Sequence, residues 1–259
     1  MASIDVDSAG SPTHSTTRAT PHHTSSTAPL KLLVRSSYQT LAYEPVWHAM
    51  RQFTQNRLPN AHDELWLLEH QPVYTQGQAG KAEHLLRTGT IPVVQTDRGG
   101  QVSYHGPGQL MIYTLFDAVR MQLGAHALVN KLEQVLIAVL ADINVSAYTR
   151  REAPGVYVLH NGAEVKIAAL GLRLRKLGCY HGAALNISTD LSAFIGINPC
   201  GYVGQKTTRL LDLLAEMPTR RVIEQRVVAQ MARIFHYTEI SYAPLVIASA
   251  PTSPRAPYE

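Results

Sequence analysis

The dipeptide Asn161-Gly162 constrains the fold more than any other feature of this sequence. It is flanked by Val156-Tyr157-Val158 on one side and by Val165–Ile167 on the other. Asn-Gly suits a two-residue turn in which both central residues have positive φ, and such turns join antiparallel strands. The segment therefore predicts a β-hairpin, which a regular βαβ repeat with purely parallel strands does not contain.

The remaining apolar segments mix strand and helix patterns along the chain. Strand patterns occur at 32–34, 65–68, 73–75, 92–95, 110–115 and 181–186. Helical patterns occur at 39–57, at Leu128 to Leu140 in steps of three and four, and at Val227 to Ile234 with Thr219 as the N-cap. Together they predict one α+β domain with a mixed or antiparallel sheet and flanking helices.

Composition changes at the two ends of the chain. Residues 1–30 hold twelve serines or threonines, no aromatic residue, and only one arginine and two aspartates as charges. Such a segment buries too little apolar surface to offset its ordering entropy, so we expect it to be disordered. Residues 31–242 are expected to form the catalytic domain, and residues 243–259 a loose tail with several prolines.

Charge and cysteine content exclude several classes of protein. The net charge of +4 favours an acidic partner, but the lysines and arginines are scattered, so nucleic acid is not expected as a partner. No apolar stretch of about 18 residues is present, so no membrane span is expected. Cys179 and Cys200 form no Cys-x-x-Cys pair and follow no signal peptide, which favours reduced thiols, no metal and the cytoplasm.

Three segments carry residues that a packed core does not need. Arg98–Gln109 has four glycines and one proline among polar side chains, a composition that suits a ligand loop as well as a long turn. Lys166 lies in a strand of small and apolar residues; a strand lysine most often points to solvent. The strand 181–186 is also rich in small residues, which leaves room for a long apolar ligand or for close helix packing.

The third segment is Asn198-Pro199-Cys200-Gly201. A cysteine between proline and glycine is expected on a turn, where nucleophiles are commonly held, whereas structural cysteines favour apolar strands and helices. Cys179, by contrast, has no flanking pattern and is interpreted as an incidental residue in a loop.

These motifs, in this order, resemble the lipoyl(octanoyl) transferase family, also called lipoate-protein ligase B. The similarity runs from about Leu32 to Tyr242 and includes Arg-Gly-Gly-x-x-x-Tyr-His-Gly-Pro-Gly-Gln, Lys-Ile-Ala-x-Leu-Gly, His-Gly-x-Ala-Leu-Asn and Pro-Cys-Gly. The resemblance implies the α+β fold of biotin and lipoate ligases. It also implies octanoyl transfer, without a cofactor, from octanoyl-acyl carrier protein to a lysine of lipoyl domains, in 2-oxoacid dehydrogenase complexes and in the glycine cleavage H protein.

The same resemblance assigns roles to individual residues. Cys200 is implied as the nucleophile that carries the acyl thioester, and Lys166 as the cation that favours its thiolate. The implied substrate contacts are Arg98, Gly99, Gly100, Gln101, Val102, Ser103, Tyr104, His105, Ala169, Leu170, Gly171, Gly182, Ala183 and Ala184. Ser103 and Ala183 replace a commoner threonine and leucine, and the smaller Ala183 relaxes the expectation of a strict eight-carbon preference.

Three alternatives stay open at the level of the sequence. His105 or His181 is an alternative base, as in a Cys-His pair. An ATP-dependent lipoate or biotin ligase would share the scaffold but would need no cysteine nucleophile. A non-catalytic binder of carrier proteins or lipoyl domains would also suit the mild positive charge.

Overall fold

The computed structural model describes residues 30–247. The predicted disordered segment 1–30, except its last residue, and the final residues 248–259 lie outside the described part. Within it, the chain forms eleven strands and three α-helices. The strands are β1 (Lys31–Leu41), β2 (Asp63–His70), β3 (Val73–Gln76), β4 (Val93–Gln95), β5 (Val102–His105), β6 (Gln109–Leu115), β7 (Ala147–Thr149), β8 (Val156–His160), β9 (Ala163–Arg175), β10 (Gly178–Asn186) and β11 (Glu239–Pro244). The helices are α1 (Tyr43–Gln55), α2 (Ala125–Ala141) and α3 (Arg220–Phe235).

Eight of these strands form one mixed sheet in the order β11-β1-β2-β6-β10-β9-β8-β7. Strand β1 runs parallel to β2 and β11, whereas the other pairs in this sheet are antiparallel. Strands β4, β3 and β5 form a second, three-stranded sheet. The predicted α+β class with a mixed sheet is confirmed.

Helices cover both faces of the large sheet. On one face, α2 and α3 bury residues such as Leu132 and Val227 in the main apolar core. On the other face, α1 packs Val46 and Met50 against Trp66 in a second cluster. The site described below lies on the side of the sheet where β9 and β10 meet the loops around β5.

The predicted hairpin and two of the predicted helices are confirmed. Strands β8 and β9 pair antiparallel, and Asn161 and Gly162 have φ of 52° and 72°, as a two-residue turn requires. Helices α2 and α3 follow their apolar stripes, and the Thr219 side chain accepts a hydrogen bond from the amide of Val222 at the start of α3.

Other predictions from the sequence are wrong in detail. The helix predicted at 39–57 begins only at Tyr43, because Thr40 and Leu41 pair with β2 and extend β1. The glycine-rich segment 98–109 was expected to be a continuous loop, yet it contains β5. Cys179 lies in β10 and is fully buried rather than in a loop, since β10 begins at Gly178.

The ordered part of the chain continues beyond the predicted end of the domain. Strand β11 extends to Pro244 and Leu245 is buried, so ordered structure continues past the predicted domain boundary at residue 242. No helix within residues 30–247 is long and apolar enough to cross a membrane.

Candidate active site

Lys166 reaches the site through an unusual pairing of β9. Strand β10 stops pairing with β9 at Ala168, and the returning segment 206–208 takes its place beside β9. The Lys166 amide donates to the carbonyl oxygen of Lys206, and the Thr208 amide donates to that of Lys166, both at 2.9 Å. These two bonds hold the loop that carries Cys200 against the strand that carries Lys166.

Cys200 lies in a strained turn. It has φ 58° and ψ 16°, a left-handed conformation that is uncommon for a residue with a side chain, and Gly201 follows with φ 79°. Hydrogen bonds from the Gly201 amide to Asn198 (2.9 Å) and from the Tyr202 amide to Pro199 (3.1 Å) hold the turn closed. Strained turns of this kind present nucleophiles in enzymes, because the side chain projects from a tightly curved backbone.

The Lys166 ammonium and the Cys200 sulfur are in direct contact. Nζ lies 3.1 Å from Sγ and also donates to the Pro154 carbonyl oxygen at 3.1 Å. It stands 5.1 Å from the centroid of the Tyr157 ring, a cation–π distance. Lys166 is only 2% exposed. Burial acts to lower the pKa of Lys166, but the nearby Cys200 and Tyr157 groups outweigh it, so the pKa is raised and the lysine stays cationic.

Gly155 packs directly beneath this ammonium. Its φ is 144°, and a Cβ built there would lie 2.9 Å from Lys166 Cε. The Gly155 amide donates to Glu133 Oε1 at 2.9 Å, which fixes the backbone next to the lysine. Burial raises the pKa of Glu133. The lysine is therefore confined between a glycine and the thiol, with little freedom to move away.

A cavity of about 280 Å³ opens beside the thiol. Its walls come from the small-residue stretches of β9 and β10, where Gly171 faces Gly182 across the strand pair. Neither glycine faces open space: a Cβ at Gly171 would lie 3.0 Å from the Gly99 carbonyl oxygen, and one at Gly182 would meet the Ile112 carbonyl oxygen. The two glycines therefore allow the neighbouring backbone to pack closely at the cavity wall. Val129 of α2, which no sequence pattern marked, also lines it.

Fourteen of the residues singled out from the sequence line this cavity. They are Arg98, Gly100, Gln101, Val102, Ser103, His105, Ala169, Leu170, Gly171, His181, Gly182, Ala183, Ala184 and Cys200. Lys166 does not line the cavity, but its ammonium contacts the Cys200 thiol. Two others do not line it: Gly99 donates its amide to the Leu172 carbonyl oxygen, and Tyr104 packs with Tyr74 and Phe194 in a separate apolar cluster.

Arg98 is buried and braces the loop, and no carboxylate among residues 30–247 pairs with it. Its guanidinium donates to the Thr75 hydroxyl at 2.8 and 3.0 Å, to the Thr75 carbonyl oxygen at 2.5 Å, and to the Gly99 carbonyl oxygen at 2.9 Å. Burial lowers the pKa of Arg98. Thr75, which no sequence pattern marked, thus fixes the position of the Arg98 guanidinium at the cavity wall.

Both ring nitrogens of His105 take part in hydrogen bonds. Gln109 donates its amide hydrogens to Tyr104 and Asn186, so its Oε1 accepts from His105 Nδ1 at 2.7 Å. The Thr75 hydroxyl is then the donor to Nε2 at 3.1 Å. Burial, together with Arg98, lowers the pKa of His105 well below its usual range. Both ring nitrogens of His105 are therefore engaged by neighbouring side chains.

Asp97 joins three elements around the far part of the cavity. It accepts hydrogen bonds from Trp47 Nε1 (2.8 Å), from His181 Nε2 (3.1 Å) and from the Tyr180 hydroxyl. Neighbouring side chains of a strand normally point to opposite faces, yet Tyr180 and His181 both reach Asp97 because His181 has φ 63°. Burial opposes ionisation, but these donors hold the pKa of Asp97 well below its usual range. His181 pairs with Leu172 of β9, and Leu172 lies six residues along β9 from Lys166.

His70 makes stability sensitive to acid. Its Nδ1 lies 3.0 Å from the Leu41 carbonyl oxygen and its Nε2 lies 2.8 Å from the Tyr113 hydroxyl, a pattern that suits the neutral ring. Burial lowers the pKa of His70 from 6.5 to about 4. The unfolded chain therefore binds a proton that the folded chain does not, and stability falls as the pH drops from about 6.5 to about 4. At about 1.4 kcal/mol per pH unit, the loss is on the order of 3 kcal/mol.

Chemical denaturation across this pH range measures the effect. The wild-type free energy of unfolding should fall more steeply than that of His70→Gln, which has no titrating ring. His126→Gln, at an exposed position, is the matched control and should keep the wild-type slope. Equal slopes in wild type and His70→Gln would refute this account of His70.

Comparison with known proteins defines the class. The model of the lipoyl protein ligase A/B catalytic domain matches residues 42–232. A bipartite lipoate protein ligase from Thermoplasma acidophilum has the same fold, with a TM-score of 0.67 at 13% identity over 84% of this chain and 88% of that one. The protein therefore has the catalytic fold of lipoyl ligases and transferases.

Two curated relatives narrow this class. The octanoyltransferase of Cellvibrio japonicus is 52% identical over 75% of this chain and 89% of its own length, and that of Pseudomonas entomophila is 54% identical over 76% and 89%. The chain belongs to the octanoyltransferase family: it is an acyltransferase, and its reaction is octanoyl transfer in protein lipoylation.

Proposed function

We propose that the octanoyl group comes from octanoyl-acyl carrier protein and rests on Cys200 as a thioester before it reaches the acceptor. The observation that carries this proposal is the 3.1 Å contact between the Lys166 ammonium and the Cys200 sulfur at the wall of the cavity. An adjacent cation favours the thiolate, which is the reactive form of cysteine. Cys179, the other free cysteine, is fully buried, and burial raises its pKa to about 12.

The reaction has two balanced steps. The Cys200 thiolate attacks the donor carbonyl carbon, a new C–S bond forms, and the donor C–S bond breaks to release the carrier thiolate, which takes up a proton. The neutral amine of the acceptor lysine then attacks the enzyme thioester. An amide bond forms, the Cys200 thiolate leaves, and the amine gives up one proton. Lys166 stays cationic in both steps because its pKa is raised.

The cavity is large enough to hold a medium-length acyl chain. Its volume of about 280 Å³ is roughly twice the ~150 Å³ of an engineered apolar cavity that holds benzene, a six-carbon ring. Apart from His181, the residues of β9 and β10 that line it are apolar or lack a side chain, such as Leu170, Ala183 and Gly171. Because Ala183 is small, we expect chains somewhat longer than eight carbons to enter as well.

The acceptors in this proposal are lipoyl domains of 2-oxoacid dehydrogenase complexes and the glycine cleavage H protein, and the compartment is the cytoplasm. No ATP is needed, since a thioester is already activated and its conversion to an amide is downhill. Among residues 30–247, no group of three or more His, Cys, Asp or Glu side chains is placed to hold a metal ion.

Intact-mass spectrometry tests the proposal directly. After incubation with octanoyl-acyl carrier protein and without ATP or Mg²⁺, the protein should gain the mass of one octanoyl group. Peptide mapping should find it on Cys200, and hydroxylamine should remove it. Adding a lipoyl domain should move the group to one lysine of that domain. Transfer that requires ATP would instead favour a ligase, and absence of any adduct would favour a non-catalytic binder.

A further inference from the structure

A second concave surface adjoins the nucleophile turn. This groove, of about 710 Å³, lies between the 3₁₀ helix Leu191–Gly196 and the segment 204–207. Pro199 lines the groove, whereas its neighbour Cys200 lines the acyl cavity. The turn Pro199–Gly201 is thus a shared wall, and a molecule in the groove would lie next to the thiol. We call this surface the thiol-side groove.

Exposed apolar side chains surround the thiol-side groove. Val203 (85% exposed) and Tyr202 are exposed just before Gly204, at one end of the groove, whereas Leu86 and Ile195 (78% exposed) line the groove itself. Their positions are mutually fixed: the amides of Leu86 and Arg87 both donate to the Gly196 carbonyl oxygen at 2.9 Å. Several large apolar side chains held in the open on one rim are characteristic of a surface that is covered during function.

Two exposed cations lie at the groove: Lys206 lines it, and Arg87 directly follows Leu86, which also lines it. Arg87 and Lys206 are exposed, and neither lies within 4.0 Å of a carboxylate in the described part of the chain. Of the nearby acids, Glu164 pairs with Arg150 at 2.9 Å, and Asp190 accepts from the amide and hydroxyl of Ser192, both at 2.9 Å, and keeps its single negative charge. The rim therefore complements an acidic partner.

We propose that the thiol-side groove docks the acyl acceptor, an acidic domain that presents a lysine, rather than the donor. This inference rests on the proposed function. A lysine has a stem of only four methylene groups, so the domain that carries it must lie close to the thioester carbon. A donor thioester at the end of a long pantetheine arm has no such requirement. The groove shares a wall with the nucleophile turn, as the short reach of an acceptor demands.

The experiment measures the two half-reactions of the full-length protein separately. The test variant is Arg87→Glu, and the matched control is Arg221→Glu on α3, an arginine that is also exposed and lies outside the groove. The first half-reaction is the release of carrier thiol from octanoyl-acyl carrier protein without acceptor. The second is a single turnover of preformed acyl-enzyme with excess lipoyl domain, or with N-acetyl-lysine amide as a small acceptor.

In the test variant, the second half-reaction with the lipoyl domain should slow about tenfold or more and lose most of its salt dependence. Its rate with N-acetyl-lysine amide, and the first half-reaction, should match those of the control variant. Ile195→Ser should slow the same step without changing its salt dependence. Slowing of the first half-reaction alone would place the donor in the groove, and unchanged rates would remove any docking role; either result overturns the inference. Absence of acyl-enzyme in the wild type would instead count against the proposed function.

Discussion

The Cys200→Ala variant is expected to form no acyl-enzyme and to lose transfer activity by a factor on the order of 10⁴ or more. Removal of a nucleophile from a catalytic group usually costs this much, because the remaining groups bind and orient the substrate but form no covalent intermediate. Intact-mass spectrometry after incubation with octanoyl-acyl carrier protein measures the intermediate. The rate is measured as the release of carrier thiol, which a thiol reagent detects.

Two further variants separate the role of the nucleophile from the role of the turn. Cys200→Ser keeps a polar atom beside Lys166, but an alcohol ionises far less readily than a thiol, so we expect only a slow ester adduct. Cys179→Ala removes the other thiol, which is buried in β10 with its Sγ 3.5 Å from the Thr114 carbonyl oxygen, and should leave the rate nearly unchanged. Retention of more than about one per cent of the activity in Cys200→Ala would contradict the thioester mechanism.

Local patterns in the sequence predicted the parts of the fold that depend on neighbouring residues. The Asn161-Gly162 turn and the apolar stripes of α2 and α3 act over a few residues, and the structure confirms them. The end of β1 was missed because Thr40 and Leu41 become strand only through pairing with β2, a contact that no local pattern encodes. Tertiary pairing overrode a helical periodicity there.

The residue types of the site were visible in the sequence, but their arrangement was not. Lys166 and Cys200 are 34 residues apart, and their contact depends on the bridge between Lys166 and Thr207. Once β5 is known to be a strand, its period of two separates Tyr104 from Ser103 and His105, which line the cavity. A strand assigned to residues 102–105 would therefore have removed Tyr104 from the predicted contacts, but it would also have removed Val102, which shares the face of Tyr104 and still lines the cavity.

Thr75, Asp97 and Val129 gave no signal of their own. Each acts as a single residue in an unremarkable segment: Thr75 holds Arg98, Asp97 joins Trp47 to β10, and Val129 closes the cavity from α2. Their roles depend on partners distant in sequence. Only the assembled fold assigns them.

The Lys166→Met variant is expected to slow acyl-enzyme formation by about 10²–10³-fold at neutral pH, because the thiolate loses its adjacent cation. Its free energy of unfolding should stay the same or rise, since an apolar side chain of similar length replaces a buried charge. Lys166→Arg should recover little activity. Gly155 and the Pro154 carbonyl oxygen enclose the ammonium closely, and a planar guanidinium is wider.

The rate of Cys200 alkylation by iodoacetamide, measured from about pH 6 to about pH 10, is the decisive readout for this lysine. Because the pKa of Lys166 is raised above its ordinary value, the wild-type protein should keep the cation beside the sulfur across that range. Lys166→Met should react at least about tenfold more slowly near pH 7 and approach the wild-type rate only at alkaline pH. Lys131→Met is the control, since Lys131 donates to the Ile234 carbonyl oxygen and lies outside the site. If the pH profile of Lys166→Met matched that of the wild type, the lysine would have no part in activating the thiol, and its contact with the sulfur would be structural.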